Sequence, residues 1–307
     1  NTEPVKALCF DIETHSPDGS FPFGERYPVV AIGIVTSTGE REVFLWDGES
    51  DRKVLTDFAK FVNEYDPDIM YGYNLIGYDI PQILHRASYH GLRNYKKLLN
   101  RDGTNYGWTP PKDSKDLRMK AGGRIILDVL RLTRRDYALS GQGRGLKAVS
   151  RHFGLDPIEL DFGDKVLLDY PLSEIHDYVL SDVDCTKYLF DHYYPQIEYT
   201  AELLGVPLEA YVNAPNSYIT KILQGRKLYE QNIITKDINR DRHPEIYKDD
   251  RGNFQAAHIE LYEPGYHQHN YKIDFASFYP SVAMALNLGP DTTRIVGYED
   301  YEEDIDF

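Results

Sequence analysis

The chain has 307 residues, of which 41% are hydrophobic, and a formal net charge of −15. The length exceeds one average domain. There is no apolar run of 18 residues, which argues against a membrane span, and no basic-then-apolar N-terminus, which argues against a signal peptide. The sequence therefore favours a cytoplasmic protein. The negative charge argues against a sequence-independent duplex-binding module, but it is compatible with a metal-dependent site that gathers carboxylates.

The first 90 residues alternate between strand and helix patterns. Short apolar runs separated by turn residues predict strands, and apolar side chains at helical spacing predict helices. This order of elements is typical of an α/β layered domain with a mixed sheet. The predicted elements are strands at Val5–Phe10, Val29–Val35, Arg41–Trp46 and Ile69–Tyr73 and helices at Asp51–Tyr65 and Ile80–His90.

The rest of the chain is more irregular. Residues 94–123 are polar and predict a long loop. A glycine loop at 141–145 precedes a predicted helix. Residues 131–151 hold six basic side chains and one acid. The basic stretch predicts either a phosphate-contacting surface or a solvated face. Regular structure is predicted at Ile125–Leu130, Leu146–Phe153, Pro171–Leu204, Tyr218–Gln231, Tyr271–Phe275 and Ser281–Leu286.

The two cysteines, Cys9 and Cys185, lie in apolar patterns and form no CxxC pair. This usage indicates buried free thiols in a reducing compartment and argues against a zinc site.

Two acids follow the first predicted strand. Asp11 and Glu13 are two residues apart, so at strand periodicity their side chains point to the same side. Two carboxylates beside a buried strand are costly unless a cation compensates them, and Mg²⁺ prefers such oxygen ligands. Taken alone, the pair also fits a solvated strand end.

Two later segments also carry acids that could bind a metal. Asp79 follows the loop after the strand at Ile69–Tyr73, and Tyr178 and Asp182 lie four residues apart on one face of the long helix. A phenol one helical turn from a carboxylate is suited to orienting a water molecule beside a metal. The three signals in this order are more specific than any one of them.

These segments resemble the three exonuclease motifs of the DEDD nucleases, in particular the proofreading domain of family B DNA polymerases. Phe10 to Thr14 is similar to the first motif, Asn74 to Asp79 to the second with Tyr78 where phenylalanine is more usual, and Tyr178 to Asp182 to the third in its tyrosine form. The segment from Gly145 to Val149, followed by Phe153 to Leu155, is similar to the family's sequence between the second and third motifs.

The resemblance implies an RNase H-like exonuclease domain, with a mixed sheet flanked by helices, that removes nucleotides from single-stranded 3′ ends. It implies that Asp11, Glu13, Asp79 and Asp182 hold two Mg²⁺ or Mn²⁺ ions about 3.5–4 Å apart. Tyr178 would orient the attacking water. Asn74 would bond near the terminal nucleotide, and Tyr78 would either stack on a splayed base or pack in the core.

A second motif follows the exonuclease signals. Lys272 to Ser281 places Asp274 in an apolar run before a turn and a helix, and it resembles motif A of the family B polymerase palm with Phe278 in place of leucine. The resemblance implies that Asp274 binds a polymerase metal. It also implies that Ser277 and Phe278 lie along the incoming triphosphate and that Tyr279 packs on its sugar.

These signals predict an exonuclease domain at 1–205, a helical connector at 206–260 and the beginning of a palm at 261–307. Nothing resembles the later polymerase motifs, so polymerisation by this chain alone is not expected; the chain would be an excised piece, a split subunit or an interrupted product. Expected partners are a single-stranded DNA 3′ end, primer-template DNA and the remaining palm, fingers and thumb. A prokaryotic source would add association with the nucleoid.

Two other functions remain open from the residues. One is a free-standing DEDD nuclease acting on RNA, which the second motif disfavours. The other is a non-catalytic scaffold with an exonuclease fold that only binds partners, which the presence of all four carboxylates disfavours.

Overall fold

A computed structural model describes residues 4–109, 118–233, 265–266, 268, 277–288 and 292. Its centre is a five-stranded sheet with the order β3-β2-β1-β4-β5. The strands are β1 (Ala7–Thr14), β2 (Val29–Thr36), β3 (Arg41–Leu45), β4 (Ile69–Gly72) and β5 (Ile125–Asp128).

The sheet is mixed. β1 pairs with β2 and β2 with β3 in antiparallel fashion, whereas β4 runs parallel to β1 and β5 parallel to β4. Helices flank the sheet, and their apolar faces bury its strands in one main core. The predicted α/β class with a mixed sheet is confirmed. The helices are α1 (Arg52–Tyr65), α2 (Asp79–Tyr89), α3 (Tyr95–Leu99), α4 (Val129–Arg135), α5 (Leu146–His152), α6 (Leu172–Leu204), α7 (Leu208–Asn213), α8 (Asn216–Glu230) and α9 (Phe278–Ala285).

The long helix α6 lies against the centre of the sheet. Tyr71 of β4 stacks on Phe190 with ring centroids 3.8 Å apart. On β2, Gly33 faces Val179, and a Cβ atom on Gly33 would come within 2.9 Å of Val179 Cγ2. The missing side chain therefore permits the close approach of α6, and Gly33 is the register partner of Asp11 on β1.

The first strand is longer than its apolar pattern predicts. It continues to Thr14 because the antiparallel pairing with β2 continues through Asp11 and Glu13, with a register shift only between Glu13 and Thr14. The acids interrupt the hydrophobic pattern but not the backbone ladder. Both carboxylates are consequently positioned by the sheet itself.

Other boundaries also differ from the sequence prediction. The run at Ile125–Leu130 is a strand only to Asp128, where the Asp128 carboxylate caps the unpredicted helix α4 by accepting from Leu130 N at 3.0 Å. The polar stretch at 94–123 contains α3 and a fully buried Trp108, whose indole donates to Asn100 Oδ1 at 2.5 Å. Both cysteines are buried and free, as predicted.

The chain divides into two compact units, residues 1–235 and 236–307. In the second unit the described helix α9 begins at Phe278, three residues before the predicted start. The predicted strand at Tyr271–Phe275, with Asp274, lies outside the described residues. None of the helices that the structure describes combines the length and apolar composition needed to cross a bilayer.

Candidate active site

Three carboxylates converge beside the end of β1. One oxygen from each of Asp11, Glu13 and Asp182 lies within 4.8 Å of the others. β1 supplies the first two from alternate positions on the strand, and α6, which packs on β1 and β2, supplies the third. Residues separated by about 170 positions in the sequence thus form one acidic cluster, as the motif pattern predicted.

The fourth predicted carboxylate is held next to this cluster. Asp79 begins α2 and is 3% exposed, and its Oδ1 accepts a hydrogen bond from Ile12 N at 3.1 Å. This bond ties the start of α2 to β1 between the two other acids. Asp79 is close enough to Asp11 that its charge raises the pKa of that carboxyl group.

The pKa values of these acids are shifted strongly upward. Burial, followed by the charges of Asp79 and Asp182, raises the pKa of Asp11 well above its usual value, and burial with Asp182 does the same for Glu13. Burial raises the pKa of Asp79 to about 8. Crowded carboxylates of this kind favour either protonation or a bound cation.

The donor set fits a hard divalent ion. Clustered carboxylate oxygens are the ligands that Mg²⁺ and Mn²⁺ take, and the described part of the cluster contains neither thiol nor imidazole. Asp11, Glu13 and Asp182 are the residues that could hold such an ion, with Asp79 beside them.

Tyr178 lies one turn before Asp182 on α6 and is half-buried. Burial, then the charge of Glu13, raises the pKa of its phenol, so the hydroxyl stays protonated at neutral pH and can donate a hydrogen bond. The charges of Glu13, Asp182 and Asp11 all act on this phenol, so Tyr178 lies near the acidic cluster.

Lys147 of α5 adds a cation that sequence reasoning did not assign to the site. Its ammonium forms an ion pair with Asp182 and donates to Ile158 O at 2.7 Å. It also lies 4.3 Å from the centre of the Tyr178 ring. The sequence placed Lys147 in a basic stretch and in the segment that resembles the family's sequence between the second and third motifs, without a role. No spacing rule links it to Asp182, 35 positions later.

The loop between β4 and α2 is held in a tight turn. Asn74 has a left-handed backbone (φ +62°), and its carbonyl accepts from Tyr78 N at 2.9 Å. A Cβ on Gly77 would lie 2.4 Å from Asn74 Oδ1, so any larger residue there would force the Asn74 side-chain amide to move. Asn74 is therefore placed beside the start of α2 by backbone geometry.

Asp128 anchors this loop from β5. Its carboxylate accepts from Asn74 N at 3.0 Å and from Ile76 N at 2.9 Å, in addition to capping α4. Burial raises its pKa to about 7, and the backbone donors oppose that shift. The sequence signal was an acid ending an apolar run, which the motif comparison passed over.

An aromatic group borders the site on the side of Tyr78. The half-buried Tyr78 bonds through its hydroxyl to Pro22 O at 2.7 Å and to Thr14 Oγ1 at 2.5 Å. Its ring contacts Phe21 and Phe23 at centroid distances of 5.5 and 6.0 Å. Phe21 is 73% exposed, so the accessible aromatic face belongs to Phe21 rather than to Tyr78.

The loop that carries Phe21 and Phe23 is fixed by α2. Gln82 accepts from Gly24 N at 2.6 Å and donates to Tyr27 O at 2.6 Å. The ring of His85 packs edge-on against Phe23 at 5.2 Å. Sequence reasoning missed these two phenylalanines because the loop has no periodic pattern.

Most of the basic stretch is used inside the protein. Arg131 donates to Val212 O and Ala214 O, Arg135 donates to Ala214 O, and Arg144 donates to Thr133 O. Arg151 pairs with Glu159. These contacts join α4 to the end of α7 and close the glycine loop. Hydrogen bonds and ion pairs within the protein therefore account for these basic side chains, for which the sequence predicted either phosphate contact or a solvated face.

The residues of the second motif lie in the other unit. Ser277 precedes α9 with a left-handed backbone (φ +50°), and Phe278 and Tyr279 in the first turn are 52% and 73% exposed. Asp274 lies outside the described residues, so its predicted metal role stays a prediction.

Comparison with known proteins adds independent findings. Residues 1–149 match the family model for the exonuclease domain of DNA polymerase family B. The chain is 26% identical to DNA polymerase 2 of Aeropyrum pernix over 99% of its length and 27% identical to the DNA polymerase delta catalytic subunit of Oryza sativa over 93%. It spans only 37% and 28% of those relatives.

A solved polymerase structure is also similar to this chain. The family B DNA polymerase from the hyperthermophilic archaeon Pyrobaculum calidifontis superimposes with a TM-score of 0.59 at 29% identity, covering 74% of this chain and 29% of that one. The similarity extends past the segment matched by the family model, which ends before Tyr178.

Proposed function

We propose that the chain is the proofreading part of a family B DNA polymerase and removes nucleotides from single-stranded 3′ DNA ends. Residues 1–149 match the family model for the exonuclease domain of that family, and the chain is similar to such polymerases in sequence and in fold. The observation that carries this proposal is the convergence of Asp11, Glu13 and Asp182 within 4.8 Å. A scaffold without catalysis would gain nothing from burying mutually repelling acids.

We assign metal binding to Asp11, Glu13, Asp79 and Asp182, with Mg²⁺ or Mn²⁺ as the ions. When bound, two such ions supply a nucleophilic water at neutral pH and charge stabilisation for the leaving oxygen. The chain's own contribution is to hold the carboxylates in register through β1, α2 and α6. Tyr178 donates a hydrogen bond from its protonated phenol and so orients the water.

The substrate strand would approach past the aromatic group. Asn74, in the loop before α2, would offer its amide to the terminal nucleotide. The exposed face of Phe21 would offer a stacking surface for a base, with Phe23 and Tyr78 packed against Phe21 or each other. Stacking of this kind is worth about 1–3 kcal/mol per base and tolerates any sequence, which suits an enzyme that must remove whichever nucleotide is wrong.

We propose that residues 236–307 begin a polymerase palm, in which Asp274 would bind a metal and Ser277, Phe278 and Tyr279 would line the nucleotide site. The support is the similarity to polymerases over nearly the whole chain. Primer-template DNA and the rest of the palm, fingers and thumb would be its partners.

The test is release of mononucleotides from a 3′-labelled single-stranded DNA in Mg²⁺. We expect release by the wild type and loss of at least about a hundredfold in Asp11→Ala. Asp177→Ala is the matched control, because that acid is on α6 with a 69% exposed side chain and lies one residue from Tyr178. A wild type that releases no nucleotides, or that prefers an RNA strand, refutes the proposal.

A further inference from the structure

Lys147 occupies an unusual place, since a cation sits inside a cluster proposed to bind metal ions. Its side chain is only 20% exposed, and its ammonium contacts three groups, two on α6 and one in the loop before it. These contacts are the Asp182 carboxylate, the carbonyl of Ile158 and the face of the Tyr178 ring.

The charge of Lys147 acts on more than its direct partner. Burial raises the pKa of Asp11, Glu13 and Asp182, and the positive charge of Lys147 opposes this shift at all three carboxyl groups. Without a nearby cation the cluster would hold three repelling carboxylates within 4.8 Å, an arrangement that costs free energy in a partly desolvated site. Lys147 therefore reduces that cost when the site holds no metal.

We propose that the Lys147 ammonium is a resident counter-ion that competes with a divalent metal ion for Asp182. The inference rests on the proposed metal site. A metal ion that binds the Asp182 carboxylate comes close to the ammonium, and repulsion between the two cations on one carboxylate favours displacement of the ammonium. The carbonyl of Ile158 and the face of Tyr178 remain as partners for the displaced ammonium, so Lys147 stays beside the site.

This competition has a distinctive consequence. If Lys147 were merely structural, its removal would loosen Asp182 and weaken metal binding. If it is a competing counter-ion, its removal makes metal binding tighter while it destabilises the metal-free protein. The two roles therefore predict opposite signs for the change in metal affinity.

The experiment compares the full chain with Lys147→Met and Lys147→Gln by calorimetric titration with Mn²⁺ and by thermal unfolding in EDTA and in Mn²⁺. We expect both variants to bind Mn²⁺ about three- to tenfold more tightly, because a like charge beside the ion is gone. Both should melt at a lower temperature than the wild type in EDTA, and Mn²⁺ should remove or reverse that difference.

Two matched controls isolate the effect. Lys187→Met removes the same charge from an ion pair with Asp191 on α6 and should leave Mn²⁺ affinity unchanged. Lys147→Arg keeps the charge and should restore affinity towards the wild-type value. The glutamine variant keeps a donor for Ile158 O, so it separates loss of charge from loss of that hydrogen bond.

Equal or weaker Mn²⁺ binding by both neutral variants, with normal binding by the wild type, overturns the inference and leaves the proposed function intact. The same holds if Lys187→Met tightens binding as much as Lys147→Met does. A folded wild type that binds no Mn²⁺ overturns the metal site itself and the inference with it.

Discussion

The packing of α6 on β2 provides a severe test of how the site is held. In Gly33→Ala the new Cβ would lie 2.9 and 3.2 Å from the Val179 methyl groups and 3.3 Å from the Val179 carbonyl oxygen. Carbon atoms normally approach to about 3.5–4.0 Å, so α6 must move by roughly 0.5–1 Å. Overpacking of this kind costs about 1–3 kcal/mol in unfolding free energy.

The same displacement should reach the active site, because Val179 lies between Tyr178 and Asp182 on α6. A misplacement of about 1 Å can lower a rate by about a hundredfold. We therefore expect Gly33→Ala to lower kcat for 3′ nucleotide release by about ten- to a hundredfold and to lower the urea-unfolding free energy. The KM of this variant for DNA should change little, because the exposed Phe21 that is proposed to stack on the substrate belongs to the loop between β1 and β2 and not to α6.

A double variant makes the test specific. Val179→Ala removes the two methyl groups, so Gly33→Ala/Val179→Ala should recover much of the lost kcat, with a residual defect from the carbonyl contact. Gly225→Ala on α8, where the new methyl meets open space, is the control and should be neutral or slightly stabilising. Wild-type kcat and unfolding free energy in Gly33→Ala would refute this account of the packing.

Three further changes probe separate parts of the site. Tyr178→Phe should lower kcat by about a hundredfold with Mn²⁺ affinity unchanged, because only the donated hydrogen bond is lost; unchanged single-turnover rates would contradict this. Phe21→Ala should raise KM for single-stranded DNA by about five- to a hundredfold without altering the melting temperature, as one base loses its stacking partner; an unaltered KM would exclude Phe21 from the substrate path. Asp128 has a pKa raised to about 7, so its folded form holds a proton that the unfolded chain has lost above about pH 4. Its contribution to stability therefore declines between about pH 4 and 7, and Asp128→Asn should flatten urea-unfolding free energy over that range; an unchanged slope would show that another group is responsible.

Much of the architecture follows from local pattern. Short apolar runs bounded by turn residues predicted the strands that became β2, β3 and β4, because strand and turn preferences are set within a few residues. The long helix α6 was predicted almost to the residue, since Pro171 and Gly205 mark its ends. The order and spacing of the acids made them candidates, and the resemblance to the exonuclease motifs named Asp11, Glu13, Asp79 and Asp182 as a set.

Only the tertiary structure decided the contacts between residues that are distant in the sequence. The pairing of Lys147 with Asp182, the anchoring of Asn74 by Asp128 and the approach of α6 permitted by Gly33 leave no periodic trace, because each depends on which surfaces meet after folding. A basic stretch likewise gives no sign of whether its side chains face solvent or a carbonyl. Sequence thus determined the chemical groups, and the packing of sheet and helix determined their charge balance, exposure and partners.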